Sequence, residues 1–413
     1  MARPIKQLVY HHAETTSFLW LKRTSALKGP HYNLADLQRL DQRLLAQLRA
    51  LTLDLDLAGK MTRRTLKTHQ EPGEIFASAH VALLQGNQAR IAKVLGAVGE
   101  KAPNIAAFAG AMVWLPDPSR ARDYALQFLL SDEPLSRRIG LSALALLRQL
   151  PENQVGRNLN SGDSILIART ARAIGEMGFG NYATLLKPLL THADLNVRFW
   201  SAWSLALLAN DSTALAELRT IALTEKSYCW RAVDLVCRRG EPRTNAKWLS
   251  TLEGTPEGAR LILQGLKAIG DPEALPRLLD AMKEPALARV AGEAFAHITG
   301  VHLSYDKLET SPPEGFESGP SEDPSDEDVA MDPDGNLSWP DRAKCADWWA
   351  KNRSKFTAGT RYLCGKPIAS ESLREILRTG YQRQRIATAL ELALREPGKP
   401  LYEVRAPGFR QAP

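Results

Sequence analysis

Four cysteines in 413 residues, Cys229, Cys237, Cys345 and Cys364, are scattered without Cys-x-x-Cys spacing. Neither a disulfide frame nor a zinc site is therefore indicated, and the thiols read as reduced, small apolar residues. No run approaches about 18 uninterrupted apolar residues, the minimum for a spanning helix. The opening MARPIKQLVYHHAETTSF carries no apolar stretch followed by a small-residue cleavage site. These absences predict a soluble, unexported, cytoplasmic protein with no membrane partner. Catalytic patterns are missing too. There is no Gly-x-Ser-x-Gly elbow and no Ser/His/Asp set with supporting context, so no catalytic, metal or cofactor residue is assigned and no enzyme activity is expected.

What is present is a repeat. Between about Glu74 and Gly300 the chain repeats every 30 residues or so, each unit opening on an Ala- and Leu-rich segment, turning on Gly, Pro, Asn or Asp, and closing on a second helical segment. Segments such as AWSLALLA and GLSALALLRQL have too few polar positions for a solvated helix and are stable only against neighbours. A basic residue recurs near the start of the later units: Arg138, Arg169, Arg198, Arg231, Arg260 and Arg289. Residues at equivalent points of successive units lie in a row, and Trp200, Trp203 and Trp230 fall beside it. Such a row can grip carboxylates or phosphates of a partner. Equally, each arginine can pair with an Asp or cap a carbonyl of the neighbouring unit.

The net charge of +7 hides a split. From Asp306 to Asp334 there are 11 acidic residues and one basic residue, Lys307, so the remainder, with 52 Lys and Arg against 35 Asp and Glu, stands at +17. A body this basic attracts an acidic protein or nucleic acid, and its own acidic stretch can lie back over it; the plainer reading is a solvated spacer.

Four regions follow. Residues 1–70 have helical periodicity outside the repeat, with Leu34, Leu37, Leu40, Leu44, Leu48 and Leu51 on one face and a Gly-Pro break before an Asn cap. They read as an N-terminal helical hairpin that caps the repeats of 71–303. Residues 304–336, rich in Pro, Gly, Ser and acid, read as a disordered acidic loop. Residues 337–413 read as a C-terminal helical module, compact around Trp339, Trp348, Trp349, Phe356 and Tyr362, and a tail.

The stretches ADLNVRFWSAWSLALL and LKAIGDPEALPRLLDAM resemble halves of the HEAT repeat. The fold class expected is all-α, a right-handed HEAT-like α-solenoid with the N-terminal cap and Trp-rich module. The end segments HHAETTSFLWLKRTSALKGPHYNLADLQRLDQRL and WPDRAKCADWWAKNRSKFTAGTRYLCGKP…GYQRQRIATALELAL resemble a proteobacterial family of uncharacterised HEAT-repeat proteins. That resemblance implies genes beside type VI secretion components and their effectors, and it defines no catalytic residues. It implies a protein partner, a secreted effector or a secretion component, held by an immunity protein or a delivery adaptor. A nucleic-acid binder of the DNA-repair type is the alternative, carried by the basic body.

Other constellations reduce to ordinary roles. His11, His12, Glu14 and His31 lack the one-face spacing of a metal pair. Asp332, Asp334 and Asn336 begin like a calcium loop but lack its acidic twelfth position, so a turn is expected. Gly175, Gly178 and Gly180 follow a helix and read as turn glycines. The internal repeats hold only His80, His192 and His297, too few at matching positions for a repeat-borne metal enzyme. Arg361, Tyr362, Arg383 and Arg385 form either a second basic patch or packing on the Trp cluster.

Overall fold

In a computed structural model that describes residues 5–255, 257–319 and 331–411, the apolar segments become 21 α-helices joined by short turns, with almost no strand. The fold is all-α and repeat-like. Among the described residues no helix is long and apolar enough to cross a membrane. Two compact units divide the chain: Met1–Ser204 with Pro397–Pro413, and Leu205–Glu396.

The first unit starts with helices Lys6–Ala26, Leu34–Thr52 and Leu55–Thr68. Asn33 makes the expected cap: its side chain accepts from the Asp36 amide at 3.0 Å while Asp36 accepts from the Asn33 amide at 3.1 Å. Leu37, Leu40, Leu44, Leu48 and Leu51 are buried, as their spacing demands. Helix pairs then follow, Pro72–Gln85 with Gln88–Val98 and Ala102–Val113 with Pro118–Leu129, and the first helix of each pair packs against the first helix of the next. Trp20 stacks on Phe76 at 3.9 Å, joining the opening helix to the repeats.

A second full helix is not made in every unit. After Pro134–Leu147 it shrinks to Val155–Leu159, and after Ser164–Met177 to Ala183–Leu186 with a 3₁₀ stretch, Lys187–Thr191. Gly156 in the first case and Pro188 in the second contribute, since each weakens or interrupts the i→i−4 ladder.

Small residues set the helix spacing. A Cβ on Gly140 would lie 2.3 Å from the Leu129 amide nitrogen and 2.6 Å from the Ala125 carbonyl oxygen, both fixed backbone atoms. Gly140→Ala is therefore expected to destabilise the first unit by about 1–3 kcal/mol. Gly96→Ala, where the added Cβ meets nothing within 4 Å, is expected to stabilise by about 0.5–1 kcal/mol. Urea midpoints of the two variants, which should move in opposite directions, check both.

The second unit continues with Cys229–Arg239, Pro242–Leu249, Gly258–Ile269, Leu275–Ala281 and Pro285–Thr299. Its C-terminal part contains an antiparallel hairpin the helical periodicity does not announce, pairing Tyr362 with Pro367 and Leu363 with Lys366. Cys364 and Gly365 turn it at φ 51° and 74°, the positive pair that a two-residue hairpin needs. The turn amides of Cys364 and Gly365 donate to the carbonyls of His297 and Ile298 at 2.7 and 3.0 Å, so the hairpin satisfies the open end of helix Pro285–Thr299. Phe356 sits among Trp348, Trp349 and Tyr362, at 6.4, 5.5 and 4.9 Å between ring centres. Trp339 instead packs on Phe316 at 4.8 Å.

Of the stretch read as a disordered acidic loop, residues 320–330 lie outside the described residues, while Asp332 and Asp334 on its far side are held by ion pairs. The tail from Pro397, which the sequence groups with the Trp-rich module, belongs to the first unit.

Candidate partner-binding surface

In the first unit the arginine row is tied largely to its own chain. Arg138 donates from Nε to Asp163 at 2.7 Å and also bonds Glu100. Asp163 in turn caps helix Ser164–Met177, accepting from the amides of Ile165 and Leu166, so one carboxylate serves both cap and ladder. Arg198 donates to the carbonyls of His192 and Ala193 at 2.9 and 3.1 Å. Trp203 is buried in the core. Trp200 lies edge-on to Trp203 at 5.5 Å and takes on its face the guanidinium of Arg172 at 4.3 Å.

Arg169 joins a cluster that the repeat spacing does not announce. Glu176, 1% exposed, accepts from Arg169 at 3.0 Å and from Arg172 at 2.9 Å, all three on helix Ser164–Met177. Two residues of the tail complete it: Arg405 reaches Glu176 at 3.3 Å, and Glu403 binds Arg405 and, at 3.1 Å, Arg148. Arg148 ends its helix in the left-handed conformation at φ 56°, unusual for a residue with a side chain, and its Nε donates to the Leu401 carbonyl at 2.8 Å. Burial alone would raise the Glu176 carboxyl, but the guanidiniums of Arg172, Arg169, Arg405 and Arg148 hold it well below the usual carboxylate range. Burial, with repulsion from Arg405 and Arg169 and despite Glu176, brings Arg172 down to about 10. The spacing Arg169, Arg172, Glu176 was legible as one helix face; the tail residues carry no such signal.

In the second unit Arg231 is exposed. Arg260 lies by the ring of Trp230 at 5.9 Å and donates to both oxygens of Asp334 at 2.8 Å. Arg289 is buried and forks onto Asp332 at 2.6 and 3.1 Å, with the rings of Trp339 and Phe316 at 4.8 and 5.4 Å. The acidic stretch thus occupies two successive rungs of the ladder. Asp332 and Asp334 form the expected turn, the Asp334 amide donating to Asp332 at 2.9 Å.

A second buried network lies in the same unit. Arg238 bridges Asp234 and Glu391 at 2.9 and 3.0 Å, Arg361 also holds Glu391 at 2.6 Å, and Glu293 takes Lys267 and Arg383 at 3.0 and 2.7 Å. Arg385 is fully buried and donates to the Leu377 carbonyl at 2.7 Å; Tyr362 is buried as well. Arg361, Tyr362, Arg383 and Arg385 are therefore packed and paired, and do not form a basic patch.

His297 faces this network. Burial first, then the charges of Lys267 and Arg238, lower it to about 3, and burial lowers His80 of the first unit to about 4. The unfolded chain, with ordinary histidines near 6.5, takes up these protons first. Their stabilising contribution is full above that pH and falls as the solution is acidified, by about 1.4 kcal/mol per pH unit for each histidine. Denaturant unfolding at pH 6.5, 5.5 and 4.5 should show this slope, and His297→Gln should flatten it.

His12 bonds Gln47 at 2.7 Å. Among the described residues no group of three or more His, Cys, Asp or Glu is disposed to hold a metal ion. Comparison with known proteins finds no matching family model, no matching curated protein and no matching solved structure.

Proposed function

We propose that this protein is a non-catalytic helical-repeat scaffold whose arginine- and tryptophan-bearing face binds another protein. One observation carries the reading: Arg260 and Arg289, one repeat apart, are filled by Asp334 and Asp332 of a peptide-like acidic stretch. A surface that seats its own acidic turn has the chemistry to seat another's acidic side chains. The resemblance of the chain ends to a type VI secretion-associated family makes the partner a secreted effector or a secretion component, and the role that of immunity protein or delivery adaptor.

Capture of the tagged protein from its native cell, followed by mass spectrometry, tests the reading. Recovery of a secreted toxin or spike component in stoichiometric amount supports it. Co-expression with that toxin then separates the roles: survival identifies an immunity protein, whereas unprotected cells whose secretion fails without the scaffold identify an adaptor. The second reading, nucleic-acid binding, is favoured by the charge of +17 outside the acidic stretch. It predicts duplex DNA binding that weakens steeply with salt.

A further inference from the structure

Among the described residues five arginines lie against a tryptophan ring, including Arg172 on Trp200 at 4.3 Å, Arg289 on Trp339 at 4.8 Å and Arg260 on Trp230 at 5.9 Å. In the second unit Arg260 and Arg289 each hold both oxygens of an aspartate, Arg260 through Nη2 alone and Arg289 through Nη1 and Nη2, and the two aspartates, Asp334 and Asp332, are separated by a single proline. These two pairs are working examples of a carboxylate held by both oxygens on a guanidinium that also lies beside an indole ring.

The Arg172–Trp200 pair of the first unit stands in a different charge balance. Among the described residues Arg148, Arg169, Arg172 and Arg405 are ion-paired with Glu176 and Glu403, which leaves two positive charges over in this set. The second unit's network of Arg238, Arg361, Lys267 and Arg383 with Asp234, Glu391 and Glu293 leaves one. A clamp serving only to fix the tail gains nothing from surplus buried charge, which is costly without a counter-ion. Nη1 of Arg169 is buried with no hydrogen-bond partner among the described residues. Arg172 keeps 29% and Arg405 34% of the side chain exposed, so the cluster is reachable from solvent.

We propose that the Arg169, Arg172 and Trp200 face of the first unit binds the carboxylates of an Asp-x-Asp segment in a protein partner, as Arg260 and Arg289 hold Asp334 and Asp332 of this chain. The inference rests on the scaffold reading and specifies what the partner must display: two acidic side chains two residues apart, as in the Asp332–Asp334 turn, which adds the missing pair of negative charges.

The test uses the full-length protein and a fluorescein-labelled peptide with the sequence of residues 329–336, Val-Ala-Met-Asp-Pro-Asp-Gly-Asn, read by anisotropy. Saturable binding is expected, weakening as salt rises. Both aspartates changed to asparagine in the peptide should reduce affinity at least about tenfold, as should Arg169→Gln or Arg172→Gln in the protein. Arg172→Lys, which keeps the charge but loses the planar fork, should fall between. Arg43→Gln, an exposed first-unit residue carrying the same charge change, should bind as wild type. Circular dichroism melts establish that each variant is folded, and Arg172→Lys carries the test should a glutamine variant not fold. No binding up to about 1 mM peptide, equal binding by the Arg169 and Arg172 variants, or equal binding of the asparagine peptide overturns the proposal. So does a labelled DNA duplex that binds through these arginines when the peptide does not. A partner recovered from cells together with a silent peptide leaves the scaffold intact and removes only this site.

Discussion

Glu176→Gln is expected to lower the stability of the first unit by about 3–5 kcal/mol, because it removes the one carboxylate that four guanidiniums share and leaves them facing each other in a buried site. The change keeps the shape of the side chain, so packing contributes little to the loss. Chemical denaturation at pH 7 measures it. A double-mutant cycle identifies the cause: in the Glu176→Gln background, Arg169→Gln should be stabilising, since it relieves repulsion, whereas a cavity or packing origin would leave the two effects additive. The pH dependence has a definite sign. The folded carboxyl lies well below its ordinary 4.5, so its contribution is fully present above that value. It is lost as the pH falls below 4.5 toward the folded value, a window that overlaps the lower part of the histidine window, which runs from 6.5 down to about 4 for His80 and about 3 for His297.

Asp41→Ala should produce a loss of similar size, about 3–5 kcal/mol, together with a topological readout. Asp41 is buried, takes Arg23 at 2.6 Å and accepts from the Gly408 amide at 2.6 Å. Arg23 in turn donates to the carbonyls of Arg405 and Ala406 at 3.1 and 2.8 Å, and lies 5.2 Å from the centre of the Trp114 ring. This single pair therefore fastens the tail to helices Lys6–Ala26 and Leu34–Thr52. Without Asp41 the Gly408 amide and Arg23 lose their shared carboxylate at once. Limited trypsin digestion, followed by intact mass, should then show early cleavage after Arg405 or Arg410 in the variant while wild type resists. A variant destabilised but cut no faster at the tail would show that the pair holds the two helices alone.

The helical part of this protein was legible because its causes are local. The apolar periods, the Asn33 cap and the glycines that end helices, such as Gly86 at φ 66° and Gly270 at φ 72°, each act within one or two turns of chain. The shortened second helices at Val155–Leu159 and Ala183–Leu186 have local causes too, in Gly156 and Pro188, but single residues inside an otherwise helical segment do not fix its length. The hairpin at Tyr362–Pro367 escaped because four paired residues leave no period to detect. At the surface, the regular spacing of Arg138, Arg169, Arg198, Arg231, Arg260 and Arg289 located a row of like charges without indicating which were spoken for. Arg138, Arg169, Arg198, Arg260 and Arg289 turn out to be engaged by their own chain, and Trp203 by the core.

By itself, then, the order of residues determined an all-α, repeat-based molecule with a recurring arginine and a basic body, since propensity, capping and burial patterns are properties of neighbouring residues. Only the tertiary structure decided which charges meet. Asp332 and Asp334 reach arginines 43 and 74 residues away, and Arg405 reaches Glu176 across 229. Coulomb attraction and guanidinium forks act through distance in space, which no spacing along the chain encodes.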